Sequence, residues 1–207
     1  FFSLLKMIFL RKRIKGYVYL RSDGFLEYKF RYGKLGYFIY FLMFNIIKKK
    51  LKILSCSNNF TNVKVNKILH PSELDWRWFK KRQNIKKFKT DFLYIGRFTK
   101  DKGSIFITKI FKEHLRNYDL TFAGTKKKSV EKKYYSKNIK FIGPISSIQK
   151  LINLYDSSKI FILPSFIEGF PKVISESLSR LRPVIIFEDI KYVVHGRRGI
   201  FVCKRDE

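Results

Sequence analysis

From residue 91 onward the chain alternates between two hydrophobic periods. Apolar runs at 92–96, 120–124, 139–143, 159–163, 183–187 and 199–202 are too short for helices and read as buried strands. Between them lie segments whose apolar positions recur three and four residues apart. SIFITKIFKEHL (104–115) is one; Ile148, Leu151, Ile152 and Tyr155 mark a second; a third runs from about Pro171 to Leu181. Ser146 and Gln149 stand at capping-box spacing and are expected to open the second of these helices. Strands alternating with helices predict a parallel sheet with right-handed crossovers and helices on both faces, a doubly wound α/β domain. The chain stops at Arg205-Asp-Glu just after a strand, so a closing helix is expected to be missing.

The first 85 residues repeat the pattern incompletely. GYVYL (16–20) reads as a strand entering the loop RSDG, LGYFIYFLMFNII (35–47) as a buried helix, and KILS (52–55) as a second strand. These are parts of another Rossmann-like unit with too few strands to close a core. The basic segment HPSELDWRWFKKRQNIKKFK (70–89) is the expected linker, which gives domains at 1–85 and 86–207. The apolar run of 13 residues falls short of the roughly 20 that a bilayer requires.

Composition supports a packed core and excludes a disordered chain: 207 residues are 45% apolar. Lys and Arg number 45 against 16 Asp and Glu, a formal charge of +29 that favours nucleic acid, a membrane surface or phosphorylated substrates as partners. Lys, Ile, Phe, Tyr and Asn are abundant together, as an AT-rich coding sequence would make them, so the charge weighs little for function. Cys56 and Cys203 form neither a disulfide framework nor a metal knuckle and fit a reducing cytosol. The chain begins at Phe1 with no secretory leader pattern, which reads as a truncated start.

Candidate chemistry collects where strands end, the edge at which such sheets bind ligands. In EGFPKVISE, Pro171 at the first helical position would leave the amides of Gly169–Val173 free at a positive helix end, suited to phosphate or sugar oxygens. Glu168 precedes that helix. Glu176 lies about 200° around from Ile174, away from the stripe of Ile174, Leu178 and Leu181, and is expected to face away from the domain core. It can accept two hydrogen bonds from vicinal hydroxyls, or simply pair with Lys172 and Arg180 four residues away. In GRFTKDKG, Gly96 admits a backbone close to a ligand, while Arg97 and Lys102 bring positive charge; an ordinary charged turn has the same composition.

YIGRFTKDKG (94–103), FAGT (122–125), IKFIGPIS (139–146), LYDSSKIFILPSFIEGFPKVISESLSRLRPVI (154–185) and HGRRGIFV (195–202) together resemble the donor-binding domain of the GT-B glycosyltransferases. The match is to the retaining family called family 4 or glycosyl transferases group 1, whose signature is two Glu eight residues apart around Gly-Phe. More loosely, RSDG, KILSCS and HPSELDWRWF resemble the end of the N-terminal, acceptor-side domain and its hinge.

The resemblance implies retaining transfer of a sugar from a nucleotide-diphosphate donor to a glycan or lipid-linked acceptor, with no cofactor and no metal. Arg97 and Lys102 would grip the diphosphate, Glu168 would lie at the transferred sugar, and Glu176 would bind the ribose hydroxyls. Gly169, Phe170, Pro171 and Lys172 would hold sugar hydroxyls or the β-phosphate, and Ile142 would meet the nucleobase through its backbone. His70, His114 and His195 read as linker, helix-surface and loop residues. The segment FEDIKYVVHGRRG departs from the family, lacking its Gly pair, and the family's catalytic histidine would belong to an earlier region, so the fragment alone is expected to be inactive. A cytoplasmic enzyme resting on the anionic inner face of the plasma membrane would suit the charge. A GT-B epimerase, a non-catalytic nucleotide-sugar binder and a basic nucleic-acid-binding protein are the other readings.

Overall fold

The structure is a computed structural model and describes residues 16–58, 60–70, 74–80 and 88–205. The chain divides into two compact units, Phe1–Pro71 and Ser72–Glu207. The division falls inside the segment expected to link two domains; residues 71–73 and 81–87 of that segment lie outside the described residues.

In the first unit β1 (Gly16–Leu20), β2 (Leu51–Ser55) and β3 (Lys67–Ile68) form a parallel three-stranded sheet in that order. A helix, α1 (Gly24–Lys48), connects the first two and is kinked at Gly33, whose φ is +64°. Asp23 caps α1, its carboxylate accepting from Leu26 N–H at 3.1 Å and from Thr61 N–H at 2.7 Å. The helix begins eleven residues before the apolar run that predicted it, because the cap rather than the run sets its start.

Phe25, Phe44, Ile47 and Ile53 are buried together. The expectation that the whole run 35–47 is buried does not hold: Leu35, Phe38, Phe41 and Leu42 are exposed. One face of a three-stranded sheet covers one stripe of a helix, and these side chains stand on the others.

The second unit is a six-stranded sheet, every strand parallel, in the order β6-β5-β4-β7-β8-β9. The strands are β4 (Thr90–Ile95), β5 (Leu120–Ala123), β6 (Ile139–Phe141), β7 (Ser158–Leu163), β8 (Val184–Phe187) and β9 (Ile200–Cys203). The helices are α2 (Ser104–Glu113), α3 (Ile148–Asp156) and α4 (Lys172–Ser179).

Successive strand residues point to opposite faces, and both faces are covered. Leu93, Phe161 and Ile186 join Ile152 of α3 and Ile174 of α4 in one buried cluster. Tyr94, Ile162 and Phe187 join Ile107 and Phe111 of α2 in the other. Trp78, from a 3₁₀ turn at Trp76–Phe79, is 2% exposed and belongs to the first cluster. The α3 cap is Ser147, which accepts from Lys150 N–H at 3.4 Å, one residue later than the capping-box spacing predicts. Gln149 does not reach back; it donates to Asn153 at 2.9 Å.

Candidate functional site

A parallel sheet delivers the C-terminal ends of all its strands to one edge, and the loops there, together with helix α4, carry the candidate residues of the second unit. The loop after β4 returns tightly. Tyr94 Oη donates to the Arg97 carbonyl at 2.8 Å, and Gly103, with φ of +64°, opens α2 directly against β7. A Cβ on Gly103 would stand 1.8 Å from the Pro164 carbonyl oxygen, so only glycine permits this approach. That approach carries Lys102 across to the loop following β7.

Lys102 Nζ lies 2.7 Å from Glu168 Oε1, and Ser165 Oγ donates to the same oxygen at 2.7 Å. The pair is largely shielded, with side chains 24% and 12% exposed. Two predicted residues 66 positions apart in sequence are thus joined. Arg97 stays outside this contact: its guanidinium is 65% exposed and 3.6 Å from Asp101. Burial first, and the charges of Glu168 and Asp101 after it, push the Tyr94 hydroxyl up, so it remains a proton donor.

Gly169 and Pro171 are buried, and Phe170 and Lys172 are half-buried. Pro171 is the N-cap of α4 rather than its first helical residue; its φ of −72° and ψ of 106° keep it extended, and the helix starts at Lys172. Proline there leaves the helix's first turn without a side-chain cap. At the neighbouring strand ends, Gly96 N–H donates to the Ala123 carbonyl at 2.9 Å and Ile142 N–H to the Phe122 carbonyl at 2.9 Å. The Ile142 amide, part of the backbone expected to meet a base, is therefore used by the Phe122 carbonyl.

Glu176 overturns one expectation. It is 3% exposed, accepts from Tyr155 Oη at 2.9 Å and stands 3.5 Å from Lys172 Nζ. A helical wheel locates the sheet side of α4 but not a second neighbour on the other side, and here Tyr155 of α3 reaches Glu176 while the Trp76–Phe79 turn packs against α4. The same burial pushes the Tyr155 hydroxyl well up, with the Glu176 charge adding to the shift. Arg180, the other expected partner of Glu176, runs to Asp156 with two bonds of 2.8 and 2.7 Å.

Three further residues shape this edge. Ser165 belongs to the Pro-Ser that ends β7 and was visible as a strand-end polar residue. Tyr192 bonds to the Glu168 backbone from the 3₁₀ segment Glu188–Val194. Arg197 lies 5.7 Å from the Phe170 ring centroid and donates to Ser175 Oγ at 3.2 Å, its pKa lowered by burial. Neither of the last two has a local sequence signal, since each acts across more than twenty residues. Among the described residues no group of three or more His, Cys, Asp or Glu could hold a metal.

Comparison with known proteins places this edge in context. The family model described as Glycosyl transferases group 1 matches residues 89–207. The capsular polysaccharide biosynthesis glycosyltransferase CapH of Staphylococcus aureus is 31% identical over 107 residues, 46% of this chain and 29% of that protein.

Among solved structures, a mutant of S. aureus TarM in complex with Fondaparinux, alpha-GlcNAc-glycerol and UDP superposes with a TM-score of 0.64 at 18% identity, over 99% of this chain and 44% of that one. Anabaena HepE in complex with UDP and glucose gives 0.66 at 15% identity, over 93% and 58%. The chain therefore spans well under two thirds of each of these relatives. The shared fold is GT-B, with parallel sheets throughout.

Proposed function

This chain belongs to the glycosyl transferases group 1 family, and from that premise we propose that the full-length protein is a retaining glycosyltransferase using a nucleotide-diphosphate sugar. The observation that carries the reading is the Lys102–Glu168 pair set beside the N-terminus of α4 at the C-terminal edge of the sheet. A cation from the loop after β4 is brought there to a carboxylate and helix amides from the loop after β7. UDP in the complexes of TarM and HepE favours a uridine donor.

In the proposed reaction Lys102 and Arg97 neutralise the diphosphate as it departs, the electrostatic contribution that usually dominates such a step. The bond from the anomeric carbon to the β-phosphate oxygen breaks through an oxocarbenium-like state. The acceptor oxygen bonds on the same face, and its proton passes to the departing phosphate oxygen. Glu168 orients the transferred sugar and Glu176 accepts from the ribose hydroxyls. The amides of Gly169, Phe170 and Lys172 hold the phosphate and sugar oxygens, Gly96 and Pro171 let the backbone come close to them without donating, and Ile142 meets the base. This chemistry uses side-chain cations in place of a resident metal.

In the full-length protein assayed against UDP-, GDP- and ADP-sugars, Glu176→Ala and Arg97→Ala are each expected to reduce turnover at least tenfold. Wild-type rates in both variants would refute the site assignment.

The acceptor we propose is a glycan or lipid-linked precursor at the cytoplasmic face of the membrane. A net charge of +29 would suit this location, whatever its compositional origin, with each Lys or Arg near an anionic bilayer contributing about 1 kcal/mol. No helix among the described residues is long and apolar enough to cross a membrane. Co-sedimentation with liposomes is expected to rise with the fraction of anionic lipid; binding independent of that fraction would remove the membrane from the account.

A further inference from the structure

Tyr192 stands in the 3₁₀ segment Glu188–Val194, and its hydroxyl makes two bonds to one residue. It accepts from Glu168 N–H at 3.1 Å and donates to the Glu168 carbonyl at 2.5 Å. The Tyr192 ring packs against the core cluster that includes Ile174, Ile190 and Val193, so the hydroxyl is presented from a fixed base. Glu168 itself lies in the loop between β7 and α4, which no strand or helix ladder holds. The N–H and C=O of Glu168 belong to the two peptide groups that flank its Cα, so one hydroxyl bonded to both restricts φ and ψ of that residue, and a carboxylate's direction follows from the backbone that carries it.

We propose that Tyr192 is a positioning residue for Glu168: it locks the Glu168 backbone so that the carboxylate is held at Ser165 and Lys102, in the place where the transferred sugar is oriented. The inference rests on the role proposed for Glu168 above. Both of these bonds are to the Glu168 main chain, and the proposed role is exercised through them. The side chain of Glu168 is then pre-aimed before substrate arrives, which lowers the ordering cost of the reactive arrangement.

Two measurements on the full-length protein test this. Hydrogen exchange over residues 165–171 is expected to quicken at least tenfold in Tyr192→Phe, with the thermal midpoint changed by only a few degrees; unchanged exchange would overturn the lock. With UDP-glucose as donor, Tyr192→Phe is expected to lower kcat about tenfold while KM stays within threefold, and Tyr192→Phe/Glu168→Gln to be no slower than Glu168→Gln alone. Losses that multiply in the double variant would show that Tyr192 acts independently of Glu168 and overturn the proposal. If Glu168→Gln alone turns over like the wild type, the site reading fails, and a wild type that releases no UDP excludes UDP-glucose as the donor; in either case the exchange result still decides whether the lock exists.

Discussion

Leu181 ends α4 in a left-handed conformation, with φ of +57° and a side chain that is 63% exposed. The bonds from Arg182 N–H to Ser177 O and from Leu181 N–H to Leu178 O form a Schellman-type closure, a position that favours glycine. A Cβ there costs roughly 1 kcal/mol and an exposed leucine regains little by packing. Leu181→Gly is therefore expected to raise stability by about 1 kcal/mol in urea unfolding; a loss of stability would show that the leucine makes contacts worth more than the strain. Glu176 illustrates the opposite case, a carboxylate kept buried because Tyr155 and Lys172 offset its desolvation. The sequence made the position of Glu176 on a helix readable, but not its burial, because Tyr155 lies 21 residues away.

At the scale of elements, α3 and α4 are tied by a buried ion pair. Arg180, 1% exposed, meets both oxygens of Asp156 and also donates to the carbonyls of Trp78 and Lys80 at 2.8 and 3.0 Å. That one guanidinium fastens the Trp76–Phe79 turn to both helices. Asp156→Asn leaves a buried cation without its counter-charge, and a loss of about 3–5 kcal/mol is expected in urea unfolding. A change below about 1 kcal/mol would mean that the three carbonyl and carboxylate contacts do not act as a unit.

Element type was legible in sequence wherever an apolar run or a helical stripe was long enough: all six strands and three helices of the second unit lie where the pattern puts them, with ends shifted by at most two residues. Short elements were missed, the 3₁₀ turns at Trp76–Phe79, Lys127–Ser129 and Lys132–Tyr134 among them. Lys67–Ile68 is too short to show a period, and Glu188–Val194 is a 3₁₀ segment whose turn has no characteristic spacing. The extent of α1 was also underestimated, since Phe25, Tyr28 and Phe30 are spread among charged residues ahead of the apolar run.

For the whole molecule, the parallel topology is what converts scattered motifs into a site. GRFTKDKG and EGFPKVISE lie more than sixty residues apart, yet β4 and β7 are adjacent in the sheet and end at the same edge. The crossing of Gly103 against Pro164 completes the join, bringing Lys102 within 2.7 Å of Glu168. Chain order and strand-end positions were enough to predict that edge; the Lys102–Glu168 contact and the Tyr192 lock required the fold, because each spans separate loops. The central claim is that this edge holds the nucleotide of a sugar donor, with Glu176 gripping the ribose. Calorimetric titration of the full-length protein with UDP tests it most directly: the wild type is expected to bind and Glu176→Ala to bind at least tenfold more weakly, whereas equal affinities would contradict the account.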